Sequence, residues 1–183
     1  MKKYKIIAIM GKAGSGKDTL LHSLIKAHPD FHEIISCTTR PKREKEIEGI
    51  NYFFLTQEQF FEKTINNEML EISRFNNWAY GTSYNSLSNE KVNVGVFNPT
   101  GIRSLLDNPN IDVDVYYVRA ADKTRLLRQL NREESPDIEE IIRRYKADEK
   151  DFNNLDFSYK VLDNEIYDDL LAGVDAILSS LKS

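Results

Sequence analysis

Apolar positions along the chain fall into short runs separated by longer stretches with helical spacing. Five β-type runs stand out, at residues 5–10, 33–37, 92–97, 113–118 and 159–162. Helical spacing marks residues 17–27, 101–106, 123–130, 138–152 and 167–181. Short apolar strands alternating with helices make βα units, whose strands lie parallel in a sheet covered on both faces. The expected fold class is therefore α/β with a five-stranded parallel core. Residues 38–90 break the rhythm: a strand at 51–55, a helix to about residue 66 and a strand at 69–75. Thr56 followed by Gln59 three positions on predicts a capping box at the start of that helix. This segment reads as a flap inserted between the second and third core strands. The charged stretch 125–151 is a second candidate mobile piece. No repeat, low-complexity tract or linker intervenes, so 1–183 is expected to be one domain, with its core at 1–37, 91–124 and 152–183.

Composition narrows the function classes. A chain of 183 residues suits one compact core, and its net charge of -4 argues against a general binder of nucleic acid or anionic membrane. No apolar run approaches the roughly 20 residues that span a bilayer. The apolar-rich run after Met1-Lys2-Lys3 is seven residues long and ends at a glycine loop, shorter than a signal peptide. One cysteine, Cys37, excludes an internal disulfide and fits a reducing compartment, so a cytoplasmic location is expected. Cys37 reads as a small buried thiol at a strand end rather than a nucleophile. His22, His28 and His32 make no metal-ligand spacing with it.

The strongest chemical signal follows the first strand. Gly11-Lys12-Ala13-Gly14-Ser15-Gly16-Lys17 is a GxxxxGK loop that opens a helix. A loop that cradles polyanionic phosphates must present backbone N–H groups and tolerate positive φ, which its glycines permit. The helix N-terminus adds partial positive charge and Lys17 a full one. The position after the lysine of such loops usually carries Ser or Thr, whose hydroxyl binds Mg²⁺; here it is Asp18, with Thr19 next. Asp18 can ligate the ion directly or through water, whereas Thr19 points about 100° away around the helix. The expected nucleotide-binding set is Gly11 to Thr19, with Asp18 as metal candidate.

Beyond the second core strand, Thr38-Thr39-Arg40-Pro41-Lys42-Arg43 puts basic residues at the end of an open α/β sheet where ligands bind. Arg40 and Arg43 can meet a phosphate bidentately, which lysine cannot. Residues 36–43, then Glu48-Gly49-Ile50-Asn51-Tyr52-Phe53-Phe54, Asn67-Glu68-Met69-Leu70-Glu71 and Tyr80-Gly81-Thr82, resemble the successive signatures of guanylate kinases at matching separations. With the phosphate loop and the later arginines, the resemblance covers nearly the whole chain. It implies a P-loop kinase with an acceptor-binding flap at 38–90 and a helical lid at 125–151, using ATP, Mg²⁺ and a nucleoside monophosphate, GMP or dGMP. It further implies that Arg40, Arg43, Tyr52 and Tyr80 hold the acceptor phosphate, that Ser36, Glu71 and Thr82 contact the guanine, and that Gly81 belongs to the same acceptor-binding set. Guanine offers adjacent donors at N1 and N2, which suit the acceptor-only carboxylate of Glu71; adenine has an acceptor at N1 and would leave it unpaired.

Arg125, Arg128 and Arg132 are spaced by three and four residues, so they are expected to share a helical face, with no acid at i+4 from the first two. A polyanion meeting that face would relieve the repulsion. Glu139 with Arg143 and Glu140 with Arg144 read as i,i+4 ion pairs. The resemblance implies Arg128, Arg132 and Arg143 as lid arginines that close over the transferred phosphoryl group, where positioning and charge neutralisation are what the reaction needs. The chain departs from guanylate kinases where Val96 and Asn98 stand in place of aspartates. Asn98 either belongs to the acceptor site or caps a helix starting at Pro99.

Two other readings stay in view. One is a kinase for another nucleoside monophosphate or a sugar phosphate; the other is an inactive, protein-binding relative of guanylate kinases, which would have no use for the intact loop. Lys17→Ala should lower kcat by at least about a hundredfold while the circular dichroism spectrum is unchanged, because it removes the charge nearest the migrating phosphoryl group.

Overall fold

The structure is a computed structural model in which residues 3–44, 46–75, 77–132 and 134–181 are described. Along the chain, β1 (Tyr4–Met10) leads into α1 (Lys17–Ala27) and β2 (Phe31–Glu33). The inserted part holds β3 (Cys37–Thr38), β4 (Phe53–Phe54), α2 (Gln57–Ile65), β5 (Met69–Phe75) and β6 (Trp78–Ser83). The chain returns with β7 (Val92–Val96), α3 (Pro99–Leu106), β8 (Ile111–Arg119), α4 (Asp122–Leu130), α5 (Ile138–Asp151), β9 (Lys160–Asp163) and α6 (Tyr167–Ser180).

The core sheet has the order β2-β7-β1-β8-β9, with every pair parallel. Its central strand is β1, where Ile6, Ile7, Ala8, Ile9 and Met10 have no exposed surface. A strand covered on both faces needs a continuous apolar run, which this one has. Ile7 and Ile9 pack with Leu20, Leu24, Val174 and Ile177 of α1 and α6, whereas Ile6, Ala8 and Met10 pack with Ile102 and Leu105 of α3 and Leu70 of β5. Each fully buried aliphatic side chain contributes about 1.5–3 kcal/mol. Among the described residues no helix is long and apolar enough to cross a membrane.

The flap is a second sheet of four strands, β4-β3-β6-β5, mostly antiparallel. Its geometry corrects the boundary expected from sequence. The run 33–37 is not one core strand. Ile34 still donates to Val94 O at 2.8 Å, but Cys37 lies in β3, paired with Phe53 and Gly81. The chain crosses between sheets inside a run that alternation cannot divide. The run 51–55 contributes only two strand residues, and β6 was not expected, since its partner β5 is what holds it extended. The capping box forms as the sequence spacing requires: Gln59 N–H donates to Thr56 Oγ1 at 3.2 Å and Thr56 N–H to Gln59 Oε1 at 2.9 Å.

Asn93 is fully buried in β7 and fastens the sheet to the end of the flap. Its Oδ1 accepts from Ser88 N–H at 2.7 Å, while Nδ2 donates to Lys5 O at 3.2 Å and Ser88 O at 3.0 Å. Asn93→Ala would strand those backbone groups in a dry site. It should lower unfolding free energy by about 2 kcal/mol, measured by urea denaturation.

Candidate active site

The carboxyl ends of β1, β7 and β8 converge on one side of the core sheet, and a cavity of about 310 Å³ opens there. Its walls are the phosphate loop, the flap strands and α5.

Gly14 and Gly16 have φ of 80° and 89°, a backbone that side chains rarely adopt. This conformation turns successive peptide groups so that carbonyls face outward. The outward carbonyls are held: Asn164 Nδ2 donates to Ser15 O at 2.7 Å, and Arg128 approaches Gly14 O and Ser15 O at 3.4 Å. Gly11, Ala13 and Lys17 line the cavity. Ser15 is fully buried, and its hydroxyl has no protein partner. Lys12 is half-buried, and Thr19 is exposed on α1.

Asp18 is exposed, 3.4 Å from Lys17 Nζ, and near enough to Tyr52 to add to the burial that raises the Tyr52 phenol. Among the described residues no group of three or more His, Cys, Asp or Glu could cage a metal ion. Mg²⁺ keeps several waters and is commonly bound through one or two carboxylates plus substrate phosphates, and Asp18 is one exposed carboxylate beside the phosphate loop.

On the flap wall, Ser36, Tyr52, Glu71, Tyr80 and Gly81 line the cavity. Glu71 is nearly buried and hydrogen-bonded by the Thr82 side chain and backbone. Ser36 Oγ lies 3.2 Å from the Thr82 hydroxyl, so the three expected base-contacting residues form one connected group. Burial pushes the Glu71 carboxyl up to about 7, against the opposing Thr82 hydrogen bonds. Gly101 lets it in, since a Cβ there would come 3.0 Å from Glu71 Oε2.

Arg40 is buried behind this wall. Its guanidinium meets Glu46 through both Nη atoms, at 3.0 and 2.6 Å, and lies 5.7 Å from the Tyr52 and Phe54 ring centroids. Arg43 is exposed, with its N–H on Glu46 at 2.8 Å. Asn98 caps a helix, as one of its two readings expected, and it also lines the cavity. Its Oδ1 caps α3 by accepting from Gly101 N–H at 2.8 Å, and Nδ2 donates to Ser73 Oγ at 3.0 Å.

The lid arginines depart most from the pattern expected of them. α4 ends at Leu130, so Arg132 lies beyond the helix and is exposed, and the three arginines do not share one face. Arg125 needs no incoming polyanion: it is buried, with Asp122 at 2.7 Å and Asp148 at 3.1 Å. The i+4 rule misses both acids because one precedes it by a turn and the other comes from another helix. Arg128 sits on the outer side of the phosphate loop and donates to Glu165 O at 3.1 Å. Glu140 pairs with Arg143 as well as Arg144, at 2.6 and 2.8 Å, and these pairs hold its carboxyl down to about 2, Arg143 foremost. Arg144, rather than Arg143, lines the cavity, with Ala147, Asp148 and Asp151 on the same face of α5. Sequence reasoning missed these residues and Ser73. The 144, 147, 148, 151 spacing is a helical stripe, but only the docking of α5 shows what it faces.

The chain matches the guanylate kinase family model over residues 3–181. The chain belongs to the guanylate kinase family. It is 30% identical over 189 residues to the guanylate kinase of Wigglesworthia glossinidia brevipalpis, covering 98% of this chain and 89% of that one. It is 29% identical over 171 residues to the guanylate kinase of Helicobacter hepaticus, covering 91% and 86%. The crystal structure of guanylate kinase from Anaplasma phagocytophilum shares the fold with a TM-score of 0.69 at 22% identity, over 99% of this chain and 86% of that one.

The raised Glu71 carboxyl gives a pH signature with a definite sign. The ionised form, which accepts from paired base donors, is populated only as pH rises through about 7. KM for an acceptor base with two adjacent donors should rise about tenfold from pH 8 to pH 6, and Glu71→Gln should remove that component. The acceptor phosphate titrates in both proteins, so the difference between their steady-state profiles isolates Glu71.

Proposed function

We propose that this member of the guanylate kinase family transfers the terminal phosphoryl group of ATP to the phosphate of GMP or dGMP. One observation carries the reading: a single cavity has the phosphate loop with Lys17 on one wall and the Ser36–Thr82–Glu71 group on another. A phosphate donor held at the first and a guanine at the second would bring donor and acceptor phosphates together between them, and such alignment supplies much of the rate in phosphoryl transfer.

In this reading Glu71 accepts from guanine N1 and N2 while Ser36 and Thr82 keep it in place. Tyr52 and Tyr80 meet the acceptor phosphate, together with Arg40 and Arg43. Lys17 stabilises the charge that develops on the migrating group. From the lid, Arg144 is aimed at the cavity, and Arg128, Arg132 and Arg143 reach it only if the lid segment moves. Mg²⁺, held by Asp18 with phosphates and water, would neutralise phosphate charge. Asn98 keeps the shape of the usual aspartate without its charge, and its committed amide leaves base reading to Glu71. A cytoplasmic location goes with this chemistry and with the free thiol of Cys37.

A panel of acceptors assayed with ATP and Mg²⁺ tests the reading. GMP and dGMP should be used with kcat/KM at least about a hundredfold above AMP, CMP and UMP, since a site built for guanine donors leaves Glu71 unpaired with the others. A preference for another base or for a sugar phosphate would overturn the assignment of Glu71. Turnover of none of them, with tight capture of a peptide, would revert the chain to a binding module.

A further inference from the structure

The phosphate loop of this protein already holds an anion, and the protein supplies it. Ala13 N–H, one of the loop donors at the cavity, donates to Asp148 Oδ2 at 2.7 Å. The same oxygen accepts from Arg125 Nη2 at 3.1 Å. Arg125 in turn donates from Nε to Ala13 O at 3.0 Å, so residues of α4 and α5 hold both backbone polar groups of one loop residue. The grip is braced from behind: Arg125 Nη1 meets Asp122 at 2.7 Å, its guanidinium lies 4.5 Å from the Tyr145 ring, and the Tyr145 hydroxyl donates to Asp122 O at 2.6 Å. Asp148 lines the cavity with Gly11, Ala13 and Lys17. Burial raises its carboxyl, opposed by Ala13 N–H, Arg125, Lys17 and Lys12, so both loop lysines act on this carboxylate.

We propose that Asp148 is a latch: its carboxylate docks α5 onto the phosphate loop, and the terminal phosphate of ATP must displace it. The inference rests on the kinase reading above. A phosphate and an ionised carboxylate would compete for the same N–H and the same lysine field, and like charges there repel. Displacement frees Arg125 from one of its two acids and uncouples α5 from the loop. ATP arrival is thereby linked to release of the helix that carries Arg143 and Arg144. The latched state does not take a terminal phosphate, so the apparent ATP affinity is the intrinsic one reduced by the unlatched fraction.

Asp148→Asn keeps the shape and an oxygen for Ala13 N–H but removes the charge. Calorimetry of the full-length protein with ATP in EDTA, without acceptor, should show Kd about fivefold lower in Asp148→Asn than in the parent. Backbone hydrogen exchange over residues 138–151 should be faster in the variant without nucleotide and equal with ATP bound. A gain in affinity is a result that mere loss of packing does not give. Unchanged ATP affinity, with or without a lower Tm, would overturn the latch, because Asp148 would then be packing alone. Weaker ATP binding that appears only with Mg²⁺ present would also overturn it, by making Asp148 part of the metal's surroundings. Asp148→Ser, smaller and neutral, serves if the amide disturbs Arg125 and the variant does not fold. A parent protein that binds no ATP would sink the kinase reading itself, an outcome distinct from equal binding by parent and variant.

Discussion

A peptide loop that turns its N–H groups inward must do something with its carbonyls and with the positive field it creates. Much of this structure answers that constraint. The left-handed glycines at 14 and 16 set the turn, and a side chain at Gly16 would collide with Asn164, the residue that secures Ser15 O. Arg128 and Arg125 supply donors to the remaining outward carbonyls of Gly14 and Ala13. The loop is therefore pinned at once by Asn164, the residue after β9, and by α4, both more than a hundred residues away in sequence. Fixing it in this way holds the loop backbone itself in one conformation, whichever anion its donors meet.

The flap meets a related difficulty with the opposite sign. A carboxylate as buried as Glu71 is costly unless hydrogen-bonded, and the Thr82 bonds offset only part of that cost, since its carboxyl still sits near 7. On the proposed reading, Glu71 is kept partly neutral by burial and would gain its full charge when paired donors arrive, which would favour a ligand that has them. Arg40 is treated more conservatively. Glu46 satisfies it in a bidentate pair, so its guanidinium is buried at a fixed place beside Tyr52 and Tyr80.

Arginine in the lid segment plays two different parts. Arg125 is structural, enclosed by two acids and an aromatic ring. Arg143 and Arg144 share Glu140 on the surface of α5, a pairing screened by solvent and easily exchanged for a stronger anion. Buried Arg125 joins the helices to the loop, whereas half-buried Arg144 lines the cavity beside its pair with Glu140.

Sequence alone determined the features that depend on neighbours in the chain. The continuous apolar run of β1 can sit only in the middle of a two-faced sheet. The GxxxxGK loop follows from the spacing of its glycines. The Thr56–Gln59 box closes within one helical turn, and the Asn98 cap likewise reaches only three residues ahead. Tertiary structure decided whatever depended on distant partners. No local rule splits the run 33–37 between two sheets, because β3 is defined by Phe53 and Gly81 across it. Nothing near Arg125 announces Asp148, which lies 23 residues on and on another helix. The phase of α5, which turns Arg144 and Asp148 toward the loop, comes from packing of its apolar and polar faces against elements the sequence cannot orient. Backbone hydrogen bonds and caps are short-range and legible from spacing; ion pairs and cavity walls belong to surfaces, and surfaces exist only after the chain has folded.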